Sequence, residues 1–328
     1  MNYPEISVLM TVYNGGIYVK DAYESIMSQD FINFEFIIVD DGSQDKALDF
    51  LENIIDERVK LHRIKNSGLV EALNYGLKQC KGKYIARMDA DDISLVSRLR
   101  IQKEFLDQNV DVDIVCSNIN VIDEQGKIVS EQIQSWNNQS DLLRGLLMET
   151  DFKPIIHPSV MVKREVYNFL NGYRNLKYAE DRDLWLRASL NFKIFRLQDK
   201  LLNYRIHSKG ISREKVFEQM ASSVMTTVNF RVKRSINLDI YENHFSLFWE
   251  KHIEILNFIK KDISKTYLNF IKLKKLFREK KFFLFFLLYI ILIIKNFEII
   301  TNSSVRKKLL YISKKQAESI EIILSKEE

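Results

Sequence analysis

The sequence predicts an α/β fold in its first part and a helical region after it. Apolar runs of strand length alternate with helix-like segments across residues 1–125. Polar clusters follow three of those runs directly, and from Lys215 onward the spacing of apolar residues is almost entirely helical. The alternation is typical of a parallel sheet with crossover helices on both faces. A chain of 328 residues, 46% of them hydrophobic, can bury the core that such a sheet requires.

Five apolar runs define the expected strands, and helical spacing defines the segments between them. The strands are predicted at Ile6–Val12, Phe34–Val39, Val59–Ile64 and Tyr84–Met88, with a fifth from Ile114 onward. The helices are predicted at Ile17–Met27, through Leu48, Leu51 and Ile55, at Leu69–Leu77 and at Val96–Leu106. The pattern is irregular over residues 151–212. We therefore expect one domain over residues 1–212 and a helical region over residues 213–328.

The three polar clusters all lie where a predicted strand ends. They are Tyr13-Asn14, Asp40-Asp41 and the block Asp89 to Asp92. In open α/β sheets, ligands bind beyond the carboxyl ends of the strands, so three clusters on one edge indicate a binding site. A dinucleotide-binding Rossmann domain is disfavoured, because no GxGxxG motif follows the first strand.

The acidic block offers ligands for a divalent cation. Asp89 and Asp91 are two residues apart at a strand end, so one can bind a metal while the other binds a ribose hydroxyl. Carboxylate oxygens suit Mg²⁺ or Mn²⁺, which also bridge substrate phosphates. A lone acidic pair is more often a solvated turn. The apolar strand before this pair and the neighbouring clusters favour the metal site.

Two other clusters suit a nucleotide base. A carboxylate at Asp41 can accept the imide N–H of uracil, although an Asx turn that caps the next helix is a compatible alternative. Tyr13, at the tip of the first strand, can stack on a base, although a tyrosine there is more often partly buried packing.

A candidate general base follows much later in the chain. Glu180-Asp181 opens a helix pattern, where an aspartate can cap the helix or take a proton from an acceptor hydroxyl. Trp185, one turn further on, can pack in the core or form a wall for a sugar ring.

Together these residues resemble the family 2 glycosyltransferases of the GT-A fold, over about residues 4–212. The resemblance implies a GT-A type, Rossmann-like mixed sheet flanked by helices, and an inverting, metal-dependent, hexosyltransferase-type enzyme that uses Mg²⁺ or Mn²⁺. It also implies a role for each matched residue. Thr11 and Tyr13 would hold the base, Asp41 the uracil edge, Asp89 the ribose or metal, Asp91 the metal, and Asp181 would be the catalytic base. Glu180, Trp185, His157, Arg205 and His207 would lie near the acceptor or the diphosphate, with a structural role equally open for His207.

The chain departs from the family pattern in two places. Leu73 stands where many members have an arginine, so a cation that faces phosphate is missing or is supplied by Arg87 or Arg205. The QxxRW motif of processive polysaccharide synthases is absent. We therefore expect the addition of a single sugar rather than polymerisation.

The expected reaction is a single displacement with inversion, because one base is present without a second, nucleophilic carboxylate. The donor would be a nucleotide-diphosphate sugar, and Tyr13 and Asp41 favour a uridine donor. Two alternatives are a sugar-nucleotide pyrophosphorylase and a non-catalytic carbohydrate-binding protein of the same fold. The first needs a basic, glycine-rich loop after the first strand, whereas the nearest lysine here is Lys20.

The charge and cysteine content bound the partners and the compartment. The net charge is +5, and from Arg231 to Glu328 there are 20 basic residues against 11 acidic ones. Cys80 and Cys116 have no metal-ligand spacing, so we expect reduced, buried thiols in the cytoplasm. The N-terminus lacks the basic and apolar regions of a standard secretion signal. We expect no nucleic-acid partner, and a saccharide or lipid-linked acceptor for cell-surface polysaccharide synthesis.

The tail contains a candidate membrane-associating segment over residues 272–300. Lys272 to Lys281 holds six basic residues and one acid, and Phe282 to Ile294 is apolar throughout. A basic cluster is attracted to anionic lipid. The apolar run would form a helix about 20 Å long, which is short of the roughly 30 Å hydrocarbon core. We therefore expect an interfacial or re-entrant helix on the inner face of the cell membrane, with a buried core helix as the alternative.

Fractionation of cells tests this expectation about the tail. We expect the full chain to sediment with membranes and to bind anionic liposomes, because basic and apolar residues act together. A chain that ends near Asn237 is the matched control and should lose both properties. Equal solubility of the two chains without detergent, with equally poor liposome binding, would show that the tail is a core element.

Overall fold

The computed structural model divides into two compact units. The first comprises Met1–Leu143 and Lys153–Gly210, and the second Arg144–Phe152 and Ile211–Glu328. The predicted division at residue 212 stays a prediction, and the predicted membrane segment 272–300 lies outside the described residues. The structure describes residues 3–133, 136–147, 154–176, 178–207, 215–237, 239–243, 245–258 and 260, and residues 311, 314, 315, 317 and 318.

A mixed sheet forms the centre of the first unit. Its strands are β1 (Ile6–Val12), β2 (Phe34–Asp40), β3 (Val59–Arg63), β4 (Tyr84–Met88), β5 (Ile93–Ser94), β6 (Ile114–Ile122), β7 (Ile128–Gln132), β8 (Met161–Lys163) and β9 (Ile194–Arg205). Their order is β3-β2-β1-β4-β8-β6-β9-β5, and β7 pairs with β6.

Helices surround this sheet and make up the described part of the second unit. They are α1 (Tyr18–Met27), α2 (Leu69–Gln79), α3 (Arg98–Gln108), α4 (Gln139–Leu146), α5 (Arg164–Leu170), α6 (Glu180–Ala188), α7 (Val216–Ile236), α8 (Ile240–Asn243) and α9 (Phe245–Phe258). Short 3₁₀ helices occur at Asp49–Asn53 and His157–Ser159.

The first four strands of the order are parallel, so their carboxyl ends meet at one edge. Val12 pairs with Asp40 between β1 and β2, and Met10 pairs with Met88 between β1 and β4. Beyond β4 the sheet becomes mixed, because β8 runs antiparallel to both β4 and β6. Strand β9 is parallel to β6 and antiparallel to β5. The parallel pairing places the three polar clusters along the same edge, as predicted.

Strands β1, β2 and β4 are buried at every position, which explains their continuous apolar runs. One face of the sheet packs against α1 and α3, where Ile26 and Leu99 join the main core cluster. The other face packs against α2, whose Gly76 lies against Leu9. Helices on both faces of the sheet thus shield these three strands from solvent.

Two segments differ from their predicted structure. The expected helix through Leu48, Leu51 and Ile55 is a short 3₁₀ helix, Asp49–Asn53. The segment predicted to be irregular, residues 151–212, contains the helix predicted at Glu180-Asp181, which is α6, and in addition β8, β9 and α5. Strand β9 includes several charged residues and mixes buried with exposed positions, so it has no long apolar run.

The second unit contains helices joined by buried polar contacts. Ser222 on α7 lies 3.0 Å from the Nε2 of His252 on α9. Asn229 and Lys233 on α7 both donate to Asp239, at 3.0 Å and 3.1 Å. Within the described residues, the structure has no helix of the length and apolar character that a membrane crossing needs.

Gly82 fixes how closely the chain entering β4 approaches β1. Its N–H donates to the Oγ of Ser7 at 2.8 Å. A Cβ at position 82 would lie 2.5 Å from the backbone nitrogen of Ser7 and 2.7 Å from the carbonyl carbon of Ile6. The strand that carries the acidic block therefore depends on a glycine at this position.

We expect Gly82→Ala to lower the free energy of unfolding by about 1–3 kcal/mol, as overpacking typically does. The clash is with backbone atoms, which side-chain rotation cannot relieve. Chemical denaturation measures the change, and Lys81→Ala at the exposed neighbouring residue is the control. A Gly82→Ala variant as stable as wild type would contradict the described approach of these strands.

Candidate functional site

The loops after β1 and β2 are hydrogen-bonded to each other and form one polar rim. The N–H of Asn14 donates to the Oγ of Ser43 at 3.0 Å, and the N–H of Gln44 donates to the Oδ1 of Asn14 at 2.8 Å. The N–H of Gly16 donates to Asp45 at 2.9 Å. These reciprocal bonds hold the ends of two strands at a fixed separation.

Tyr13 lies at this rim with 54% of its surface exposed, whereas Thr11 is buried in β1. Such exposure of a large aromatic ring at a strand end makes the ring available for stacking. The turn after β2 is closed by Asp40, whose Oδ1 accepts the N–H of Ser43 at 2.8 Å. The Asx turn considered for this loop forms at Asp45, whose Oδ1 accepts the N–H of Ala47 at 3.3 Å.

Asp41 joins the end of β2 to the start of α2. Its carboxylate is buried and accepts the backbone N–H groups of Ser67 at 2.8 Å and Gly68 at 2.9 Å. The Oγ of Ser67 donates to the same carboxylate at 3.2 Å. Gly68 is the residue that precedes α2 and has a φ of 95°, a value that favours glycine. Asp41 thus holds the entry to α2, a contact that the sequence pattern did not reveal.

The acidic block after β4 gathers three carboxylates. Oxygen atoms of Asp89, Asp91 and Asp92 all lie within 4.8 Å of one another. The Nη2 of Arg87 donates to Asp89 at 2.6 Å, and the Nε2 of His207 lies 2.8 Å from the Oδ2 of Asp91. The end of β9 therefore brings His207 to the block, across more than a hundred residues of sequence.

The block has three carboxylates close enough together to hold a divalent metal ion. Its ligands are hard oxygens, and the Oδ2 of Asp92 is buried without a hydrogen-bond partner among the described residues. Burial raises the pKa of Asp91, and repulsion from Asp89 raises it further, while His207 opposes both. Burial also raises the pKa of Asp92 well above its usual value. A cation would offset this repulsion, so the residues fit a divalent metal.

Arg205 fastens the acidic block to neighbouring elements. Its Nε donates to the carbonyl of Asp91 at 2.7 Å, and its Nη2 donates to Asp21 on α1 at 3.1 Å. Its guanidinium lies 4.5 Å from the ring centre of Tyr18, and its Nη1 donates to the carbonyl of Glu124 at 3.2 Å. The guanidinium of Arg205 is therefore already bonded to several groups of the protein.

The start of α6 places the second acidic pair at the same edge. Glu180 is buried, and burial raises its pKa to about 8, with further repulsion from Asp181 and an opposing effect from Arg87. At neutral pH Glu180 is therefore largely protonated and unsuited to accept a proton. Asp181 is less buried, and its Oδ1 accepts the N–H of Arg182 at 2.7 Å. Asp181 is thus the better candidate for a base.

His157 and Trp185 lie in the interior behind this pair. The Nε2 of His157 is 2.7 Å from the hydroxyl of Tyr173, which in turn is 3.2 Å from that of Tyr167. Burial lowers the pKa of His157 well below its usual value, so the ring is neutral. Trp185 is only 1% exposed, so it packs in the core rather than forming an open wall.

The position expected to hold a phosphate-facing arginine is also in the interior. Leu73 is fully buried on α2, where the neighbouring Asn74 bonds to the backbone of Tyr173. Two arginines were considered as substitutes for that phosphate-facing arginine. Arg205 is already bonded to Asp21, and Arg87 is buried beside Asp89.

Two residues of this site, Asp21 and Tyr18, escaped the sequence pattern, and the bond between Arg87 and Asp89 was not predicted either. One signal was available for Arg87, because a charged residue inside the apolar run Tyr84–Met88 is unusual for a buried strand. Asp21 and Tyr18 gave no such signal, since their contacts with Arg205 depend on the tertiary fold.

Comparison with known proteins identifies related sequences. Residues 7–170 match the family described as glycosyl transferase family 2. The chain is 35% identical over 216 residues to the O-antigen biosynthesis glycosyltransferase WbnJ of Escherichia coli, covering 63% of this chain and 82% of that protein. It is 32% identical over 232 residues to an uncharacterized glycosyltransferase of Methanocaldococcus jannaschii, covering 69% of this chain and 79% of that protein.

Solved structures share the fold at lower identity. S. aureus TarS in complex with UDP-GlcNAc has a TM-score of 0.54 and 22% identity, covering 74% of this chain and 75% of that chain. The mannosyltransferase PcManGT of Pyrobaculum calidifontis, in complex with GDP-Man and Mn²⁺, has a TM-score of 0.54 and 14% identity, covering 96% and 87%. The mixed sheet flanked by helices is therefore of the GT-A type.

The raised pKa of Glu180 predicts that the stability of the folded protein depends on pH. Its folded pKa of about 8 exceeds the usual 4.5, so between these values the folded state binds more protons than the unfolded state. The contribution of Glu180 to stability is therefore lost as the pH rises through about 8. We expect Glu180→Gln to melt several degrees above wild type at pH 8, and the difference to shrink towards pH 5.

Thermal unfolding at the two pH values measures this difference. Glu165→Gln, the same change at an exposed position, is the control and should show no such trend. A difference between Glu180→Gln and wild type that is equal at both pH values would contradict the protonated state of Glu180.

Proposed function

The chain belongs to glycosyl transferase family 2, and from that premise we propose that it transfers one sugar from a nucleotide-diphosphate sugar to an acceptor hydroxyl. The observation that carries the proposal is the meeting of three features at one sheet edge. They are the exposed ring of Tyr13, the carboxylates around Asp91, and the acidic pair Glu180-Asp181 that begins α6. Family membership argues against a sugar-nucleotide pyrophosphorylase.

We propose a uridine base for the donor. Tyr13 offers an exposed ring for stacking, and Thr11 lies two residues before it in the sequence. The buried Asp41 already accepts N–H groups from Ser67 and Gly68, and the second lone pair of its Oδ2 would accept the imide N–H. TarS, which shares the fold, has been solved with UDP-GlcNAc, whereas PcManGT has been solved with GDP-Man. Guanine and thymine also present an imide N–H, so a comparison of nucleotides decides between these bases.

Asp89, Asp91 and Asp92 would hold Mg²⁺ or Mn²⁺. A divalent cation at that position supplies positive charge to stabilise a departing diphosphate. His207 and Arg205, at the end of β9, hold this block in place through their bonds to Asp91. PcManGT, with the same fold, has been solved with Mn²⁺.

Asp181 would accept the proton of the acceptor hydroxyl as that oxygen attacks the anomeric carbon. Its neighbour Glu180 is largely protonated at neutral pH, so the two carboxyl groups have different roles. With one base and no second carboxylate acting as nucleophile, attack occurs from the side opposite the leaving group. The product would therefore have an inverted anomeric configuration.

The acceptor would be a saccharide or lipid-linked saccharide in cell-surface polysaccharide synthesis. The name of the related E. coli protein assigns it to O-antigen biosynthesis, which is a pathway of this kind. The absence of a QxxRW motif favours the addition of a single sugar. The basic and apolar tail, beyond the described residues, would bring the enzyme to the membrane surface that presents a lipid-linked acceptor.

We expect Asp181→Asn to lower kcat for sugar transfer by about 100-fold or more, because a general base typically contributes that much. Donor binding should change little, since the substitution is nearly isosteric and lies on the acceptor side. Release of UDP from the donor, with and without acceptor, measures the rate, and thermal stabilisation by UDP measures binding.

Glu180→Gln is the matched control for this experiment, because it changes the adjacent carboxyl group in the same way. It should lose far less activity than Asp181→Asn, since Glu180 is already neutral in the folded protein. An Asp181→Asn variant that keeps more than about a tenth of the wild-type kcat would refute the role of Asp181 as base.

A further inference from the structure

Arg87 occupies an unusual position for a charged residue. It is the fourth residue of β4, and only 2% of its side chain is exposed. Side chains alternate along a strand, so Arg87 lies on the face opposite Ala86 and Met88, which join the main core cluster. Its Nη2 donates to the Oδ1 of Asp89 at 2.6 Å, within the range of a strong charge-assisted hydrogen bond.

The rest of the Arg87 guanidinium is not satisfied by the protein. Its Nε and Nη1 are buried and have no hydrogen-bond partner in the part of the chain that the structure describes. A buried donor without a partner lowers stability, because it has lost its hydrogen bonds to water. For the folding of the free protein, this arginine is therefore a poor choice compared with an apolar side chain of similar length.

Arg98 provides a comparison, because it is buried beside Arg87 and is well satisfied. Its Nη2 donates to the carbonyl of Arg87 at 2.7 Å and to that of Val160 at 3.2 Å. Its Nε donates to Gln102 at 3.1 Å. Arg98 thus has the contacts of a structural arginine, and Arg87 does not.

The charges around Arg87 indicate what it does. Its guanidinium pairs with the acidic block through Asp89, where Nη2 lies 2.6 Å from Oδ1. The guanidinium of Arg205 bonds to Asp21 and to backbone carbonyls, and that of Arg98 to the partners described above. Of these three arginines, Arg87 is the one whose guanidinium bonds to a carboxylate of the block.

We propose that Arg87 is a positioning residue of the donor site, which acts through Asp89 by fixing the direction of that carboxylate. This proposal rests on the proposed function, because Asp89 matters only if the edge binds a metal and a nucleotide. Function rather than folding then explains why Arg87 is buried without enough partners. Proteins keep residues that are unfavourable for stability mainly at their functional sites.

The experiment compares Arg87→Met, Arg87→Lys and Arg98→Met in the full-length protein. Arg100→Met, a surface arginine paired with Asp30, is the control for replacing an arginine that bonds to an aspartate. Thermal unfolding is measured for the free protein and with Mn²⁺ plus UDP, and steady-state kinetics give KM for the donor and kcat.

We expect Arg87→Met to melt within about 2 °C of wild type, and Arg98→Met to melt at least about 5 °C lower. Arg87→Met should lose most of the stabilisation by Mn²⁺ and UDP, and its donor KM should rise about tenfold or more with a smaller change in kcat. Arg87→Lys, which keeps a charge able to bond to Asp89, should recover part of both losses. Arg100→Met should match wild type in ligand binding and kinetics.

Two results would overturn the role of Arg87 while leaving the proposed function intact. One is an Arg87→Met variant that binds Mn²⁺ and UDP as well as wild type does. The other is an Arg87→Met variant that loses as much thermal stability as Arg98→Met, with no recovery of binding in Arg87→Lys. If wild type itself is not stabilised by Mn²⁺ and UDP and releases no UDP from any donor, the proposed function fails and this proposal fails with it.

Discussion

Carboxylate oxygens of Asp89, Asp91 and Asp92 lie within 4.8 Å of one another at the carboxyl edge of the sheet, and Asp181 and Asp89 repel a charge on Glu180 at the start of α6. Burial and this repulsion both oppose negative charge at the site. The rest of the site depends on how the fold offsets that repulsion. Each carboxyl group has either a hydrogen-bond partner or a proton, which reduces the repulsion. Arg87 bonds to Asp89, His207 to Asp91, the N–H of Arg205 to Asp92, and the N–H of Arg182 to Asp181, while Glu180 is largely protonated.

The mixed topology of the sheet delivers these partners. Parallel pairing of β1, β2 and β4 brings the polar rim and the acidic block to one edge. Strand β9 then runs alongside β6 and ends at the same edge, so its last residues reach the block directly. Arg205 extends the connection to α1 through Asp21 and Tyr18. The geometry of the block therefore depends on elements that are distant in sequence.

Much of this arrangement could be predicted from the sequence, because it is local. The bounds of β1 and β4 match their apolar runs, and both acidic motifs follow strand or helix patterns that periodicity reveals. Contacts between distant elements could not be predicted in this way. The pairing of β8 with β4, the bonds from Asp41 to the start of α2 and the burial of Trp185 all depend on tertiary packing.

The most direct measurement is release of UDP from a panel of nucleotide sugars, with Mn²⁺ present and then removed by EDTA. The proposed metal site and the proposed uridine site predict activity on one or more UDP-sugars with Mn²⁺, and loss of that activity on chelation. Equal activity after chelation would contradict a metal role for the acidic block. Turnover of CDP-sugars in preference to UDP-sugars would contradict the assignment of Tyr13 and Asp41 to a uracil base.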